Sequence, residues 1–125
     1  VVQSFHYSRV FVALADVDGR LAQFYRQVLH CEPTFSIPQV YSEFELPGLR
    51  LGIFQPKASQ QPEFAAASSG SMSLCIEVEN LQEAIAHLTH LGHPPPGAIM
   101  HTSHGDEIYA YDPAGNRLIL HQSKG

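Results

Sequence analysis

The chain has 125 residues, 44% of them apolar and 15% charged, and a formal net charge of -5. That suffices for one globular domain with a real core and excludes a disordered polymer. The seven Lys and Arg are scattered, which excludes the basic face of a nucleic-acid binder, and no apolar run approaches the roughly 20 residues of a membrane span.

Val10, Val12 and Leu14 alternate with other residues, so an opening strand with one apolar face is expected. Asp16 or Asp18 is placed to cap a following helix, in which Leu21, Phe24, Tyr25 and Val28 recur at helical spacing. "PTFSI" (33–37), "YSEFEL" (41–46) and "LRLGIFQ" (49–55) then read as three strands. Residues 56–70, "PKASQQPEFAAASSG", are rich in Ala, Ser, Gln and Pro, the composition of a linker and a candidate flap. Leu74, Ile76 and Val78 alternate again, Asn80 is a helix cap, and Leu81, Ile85, Leu88 and Leu91 form a second helical stripe. His87 and His90 fall off that stripe, so a solvated face is expected for them despite their i, i+3 spacing. "GHPPPGA" (92–98) ends this helix, and "AIMHTS" (98–103), "EIYAYD" (107–112) and "RLILHQ" (117–122) read as three further strands.

The chain repeats itself. "PGLRLGIFQ" (47–55) lies over "AGNRLILHQ" (114–122) with Gly, Arg, Leu and Gln identical. Upstream, "RVFVALADVDGRLAQFYRQVL" (9–29) resembles "SLCIEVENLQEAIAHLTHLG" (73–92), with a one-residue slip inside the helix. The order is therefore β-α-β-β-β, twice, which is a duplicated module. In "DPAGN" (112–116), Asp112 can bond its own downstream backbone, Pro113 fixes φ, and Gly115 supplies a left-handed conformation. Arg50 and Arg117 occupy equivalent positions, and pairing with the equivalent acids Glu45 and Asp112 is expected. The two cysteines, Cys31 and Cys75, form no C-x-x-C. Free thiols in a reducing cytoplasm are the expectation, and the N-terminus shows no charged-then-apolar signal pattern.

Duplicated β-α-β-β-β modules closed by a "DPAGN" turn and an apolar strand resemble the vicinal oxygen chelate superfamily, which includes glyoxalase I, extradiol dioxygenases, and fosfomycin- and bleomycin-resistance proteins. The resemblance covers roughly residues 8 to 122. It implies an α+β fold of two tandem modules, about 8–57 and about 71–122 with a linker about 58–70, whose sheets form an incomplete barrel around a cleft. It also implies metal ligands, usually His, Glu or Gln, on the first and last strand of each module. The matching positions here are Arg9, Gly52, Ser73 and Ile119. None is a good ligand for a divalent cation, so no metal cofactor is expected.

Period-two geometry places Arg9, Phe11, Arg50, Phe54, Ser73, Cys75, Glu77, Ile119 and His121 in the cleft, with Ala13, Gly52 and Arg117 alongside. Tyr41, Tyr109 or Tyr111 would add aromatic surface. Apolar walls with a few orienting polar groups suit a small organic molecule. The reading is a cytoplasmic, glyoxalase-like or bleomycin-resistance-like binding protein whose partner is a small-molecule ligand, with no nucleic-acid or membrane partner. Homodimer formation is a candidate state implied by the resemblance. Alternatives are a metal-dependent lyase, isomerase or dioxygenase with ligands displaced to His121, Glu77 and Cys75, a Cys75 nucleophile served by His121, or an interaction subunit with an idle cleft.

Overall fold

Each period-two segment forms a strand and each apolar stripe a helix in the computed structural model, which describes residues 6, 8–64 and 70–124. Module one runs β1 (Val12–Ala15), α1 (Leu21–Leu29), β2 (Phe35–Ile37), β3 (Tyr41–Leu46) and β4 (Leu49–Phe54). A 3-10 turn (Ala58–Gln60) and a one-turn helix, α2 (Gln61–Phe64), follow. Module two repeats the order as β5 (Ser73–Glu77), α3 (Leu81–His90), β6 (Met100–Thr102), β7 (Gly105–Tyr111) and β8 (Arg117–Ser123). The strands form two four-stranded mixed sheets, β1-β4-β3-β2 and β5-β8-β7-β6, and neither closes into a barrel. In each, the first strand of the module runs parallel to the last, and the remaining pairings are antiparallel.

The helices cover one face of the sheets. Leu21, Phe24 and Tyr25 of α1 are buried, as are Phe44, Leu51 and Ile53 on the strands of module one. Leu81 and Leu88 of α3 are buried together with Ile108, Ala110, Leu118 and Leu120. The alternate residues of the same strands form the opposite, uncovered faces. Helix starts follow the expected chemistry. The Asp16 carboxylate accepts from the backbone N–H groups of Arg20 (3.0 Å) and Leu21 (3.1 Å), and Asn80 accepts from Glu83 N (2.9 Å).

Contacts 60 or more residues apart in sequence tie the modules together. The Tyr25 hydroxyl donates to Asp112 across 2.6 Å in the core, and the Phe24 ring meets the His93 ring edge-on at 4.9 Å. His90 is exposed, as expected, while the half-exposed His87 also makes contacts. Its Nε2 lies 3.0 Å from the carbonyl of Gln27, and its ring stacks on His30 at 4.5 Å. The reason is geometric: the last turn of α1 presents carbonyls without intrahelical partners, and an imidazole N–H satisfies one of them.

The opening strand is shorter than expected. It starts at Val12, which pairs with Leu51, and Val10 is 80% exposed instead of core-facing. Strand β4 begins only two residues before Leu51, after the Pro47–Gly48 turn, so little ladder remains for Arg9 to Phe11. Within the linker, the Phe64 ring sits edge-on to Phe54 at 5.1 Å. The candidate flap falls partly on residues 65–69, which lie outside the described residues.

Candidate functional site

Register fixes which side chains share the uncovered faces. In module two, Ser73 pairs with Arg117, Cys75 with Ile119 and Glu77 with His121. Across the next ladder, Tyr111, Tyr109 and Glu107 stand beside Arg117, Ile119 and His121. In module one, Ala13 and Glu43 flank Gly52, Ala15 and Tyr41 flank Phe54, and Glu45 is opposite Arg50. All the expected cleft residues except two therefore lie on these faces. Arg9 and Phe11 precede β1. The Arg9 guanidinium stands 5.6 Å from the centre of the Phe11 ring, and both residues line a recess of about 270 Å³ with Glu45, Leu49 and Arg50.

The donor set does not fit the metal that the resemblance implies. At Gly52 a side-chain Cβ would lie 2.6 Å from the Tyr41 hydroxyl, so the Tyr41 ring fills the space from which a ligand would project. That hydroxyl donates to Glu43 at 2.7 Å, and burial first, then Glu43, raises its pKa. Arg50 pairs with Glu45 (2.9 Å), as expected, and also with Glu43 (3.5 Å), so a permanent cation borders the position. On the first strand of module two, the Ser73 hydroxyl accepts from the Arg117 guanidinium at 3.1 Å. Ile119 has no donor atom and Arg9 is itself a cation. The four positions themselves therefore offer a divalent ion no carboxylate or imidazole, and the neighbouring Glu43 carboxylate is already engaged by the Tyr41 hydroxyl and Arg50. Among the described residues, no group of three His, Cys, Asp or Glu converges to hold a metal.

Arg117 differs from expectation. It donates to Gly70 O at 2.8 Å and lies 5.8 Å from the centre of the Tyr109 ring. Asp112, its expected partner, is buried and accepts from Tyr25, from Ala114 N (2.9 Å), and from Asn116 N (2.9 Å) and Nδ2 (2.8 Å). Backbone donors in its own turn reach the carboxylate with less ordering cost than a long side chain. Gly115, at φ +90, provides the left-handed step of that turn.

His121 and Glu77 do come together. Glu77 Oε1 accepts from His121 Nδ1 at 2.7 Å, while Oε2 accepts from Ser123 N (2.8 Å) and Oγ (2.7 Å). These bonds hold the Glu77 pKa down to about 2, the His121 bond first and the two from Ser123 next. The other ring nitrogen, His121 Nε2, is buried with no hydrogen-bond partner. It faces Gly105, where a Cβ would stand 2.8 Å from it and 2.3 Å from the carbonyl oxygen of Gln122. The His104 ring stacks on the His121 ring at 5.5 Å. One ring nitrogen is therefore taken by Glu77 and the other is buried. Cys75 does not join this pair: its neighbour is Ile119 and the residue is exposed. The third imidazole of this end, His101, pairs with Asp106 at 2.8 Å. Sequence reasoning missed Gly105 and Ser123 altogether, although Gly105 opens β7, and a glycine in a strand often marks close backbone approach.

Among solved structures, an Agrobacterium tumefaciens protein, ATC0852, superposes with a TM-score of 0.73 at 26% identity, covering 92% of this chain and 96% of that one. A lactoylglutathione lyase from Agrobacterium tumefaciens follows at TM-score 0.67 and 21% identity, covering 94% and 95%. FosX, the genomically encoded fosfomycin resistance protein of Listeria monocytogenes, gives TM-score 0.72 at 15% identity over 96% of both chains. The chain has the fold of the vicinal oxygen chelate superfamily. No family model and no curated protein sequence matches it. FosX has also been solved with Mn(II) and sulfate bound.

Proposed function

We propose that this protein binds a small organic molecule against the uncovered sheet faces and does so without the metal centre of its metal-dependent relatives. The observation that carries the reading is the Tyr41 hydroxyl, 2.6 Å from where a Cβ at Gly52 would stand. A ligand position has been exchanged there for aromatic surface. The same exchange recurs in module two, where Ile119 lies between Cys75 and the 40%-exposed Tyr109. Aromatic and aliphatic faces bounded by a few fixed polar groups suit a ligand with a flat apolar body. Arg117, which reaches Ser73 beside Tyr109, supplies a donor for an oxygen or carboxylate on that body.

The test is elemental analysis of protein purified without chelators, followed by thermal-shift screening of aromatic acids with and without added Mn(II). The expected result is substoichiometric metal, and a shift that is independent of Mn(II) and lost in Tyr109→Ala. One tightly bound transition metal per chain would overturn the proposal. So would shifts that appear only with Mn(II). The 2.7 Å pairing of Glu77 with His121 is the observation that favours a displaced metal site. On that reading, a bound metal would be lost in His121→Ala.

A further inference from the structure

We propose that module one carries a second small-molecule site, on the helix-bearing side of its sheet, for an uncharged, hydroxyl-rich ligand. Each module serves as the control for the other. In module two, the start of α3 is capped by Gln122, whose Oε1 accepts from Leu81 N at 2.6 Å. Gln55 is its counterpart in the repeat. In module one, however, the corresponding helix start is taken by Asp16, which accepts from Arg20 N and Leu21 N. The Gln55 carboxamide is thereby released from the capping role.

Two smaller side chains open space beside it. Ser42 pairs with Ile53, while the buried Ile108 pairs with the equivalent Leu120, so Ser42 stands where module two places an isoleucine. Ala22, the second residue of α1, stands where α3 has Gln82. The outcome is a pocket of about 540 Å³, with Asp16, Asp18, Gln39, Ser42, Ile53 and Gln55 in its walls.

The lining sets the ligand class. The Gln39 and Gln55 carboxamides bond no other group among the described residues, and each offers donors and an acceptor. Gln39 is held at φ +63 in the turn closed by Val40 N to Ile37 O, an uncommon conformation for a residue other than glycine. No cationic side chain lines the pocket among the described residues, and two carboxylates do, which disfavours anions. Those carboxylates are themselves offset, Asp16 by the helix start and Asp18 by Arg20 at 3.4 Å. A neutral molecule with alternating hydroxyl donors and acceptors matches this inventory, and Ala22, Val40 and Ile53 offer contact to its C–H surface.

The experiment is an NMR titration of the full chain with glucose, myo-inositol and sorbitol into the millimolar range, reading the side-chain amide signals of Gln39 and Gln55. Saturable shifts with at least one polyol are expected, without shifts at Tyr109 on the other face. Ser42→Ile, which copies module two, should weaken binding by about tenfold or more. Gln55→Leu should do the same and guards against a folding defect in the first variant. The proposal is overturned if no polyol gives a saturable shift, if both variants bind as well as the parent, or if putrescine or phosphate binds more tightly than every polyol.

Discussion

Asp112→Ala removes one carboxylate and four hydrogen bonds at once, from the Tyr25 hydroxyl, Ala114 N, Asn116 N and Asn116 Nδ2. Tyr25 is 0% exposed, so its hydroxyl has no water to replace the lost acceptor. An orphaned buried hydroxyl costs about 1–3 kcal/mol. Including the turn bonds, we expect a loss of about 2–4 kcal/mol, a large share of the roughly 5–15 kcal/mol that holds a typical domain. Tyr25→Phe removes the donor but leaves Asp112 three others, so it should cost only about 1–2 kcal/mol. The decisive variant is the double one. Once the carboxylate is gone, the hydroxyl is a liability, and adding Tyr25→Phe to Asp112→Ala should recover stability. Urea denaturation at unchanged m-value measures all three. The Tyr25 pKa is raised far above its ordinary value of 10.0, by burial first and Asp112 next. The linked stability is therefore fully present below about pH 10 and is lost only as pH rises beyond it. Penalties that simply add in the double variant, or an Asp112→Ala cost below about 0.5 kcal/mol, would refute the reasoning.

Glu77 has its folded pKa lowered from 4.5 to about 2. Its contribution is therefore present above pH 4.5 and lost as pH falls toward 2, and Glu77→Gln should flatten the urea midpoint against pH across that window. Gly105→Ala would set a Cβ 2.3 Å from Gln122 O and 2.8 Å from His121 Nε2. We expect a cost of about 1–3 kcal/mol by urea denaturation, together with changed His121 ring signals in NMR. Cys75 is exposed, whereas Cys31 is half-buried with a pKa raised by burial first and Glu32 next. Iodoacetamide at neutral pH, followed by peptide mass spectrometry, should therefore label Cys75 faster.

The duplicated module was legible because its signals are local: strand alternation, helical stripes, a cap and a turn within a dozen residues of one another. The same alternation placed Gly52 and Ile119 on the uncovered faces, which sufficed to doubt a metal. What occupies the Gly52 position was not legible, because the covering Tyr41 hydroxyl approaches from a neighbouring strand 11 residues back in the chain. Tyr25 and Asp112 are 87 residues apart, and no spacing rule joins them. Arg9 lies off these faces for a related reason: alternation continues upstream of Val12, but in the observed register Arg9 would fall opposite Gly48, in the turn before β4. The repeat itself misleads in one respect. Gln55 and Gln122 are identical residues at matched positions, yet Gln122 caps a helix, and Asp16 displaces Gln55 from that duty. Sequence identity between modules thus predicts backbone and register, while the job of a side chain depends on which neighbour reaches its partner first. In module two that partner is already held and the space is filled by Ile108; in module one Asp16 and Ser42 leave both the amide and the space available.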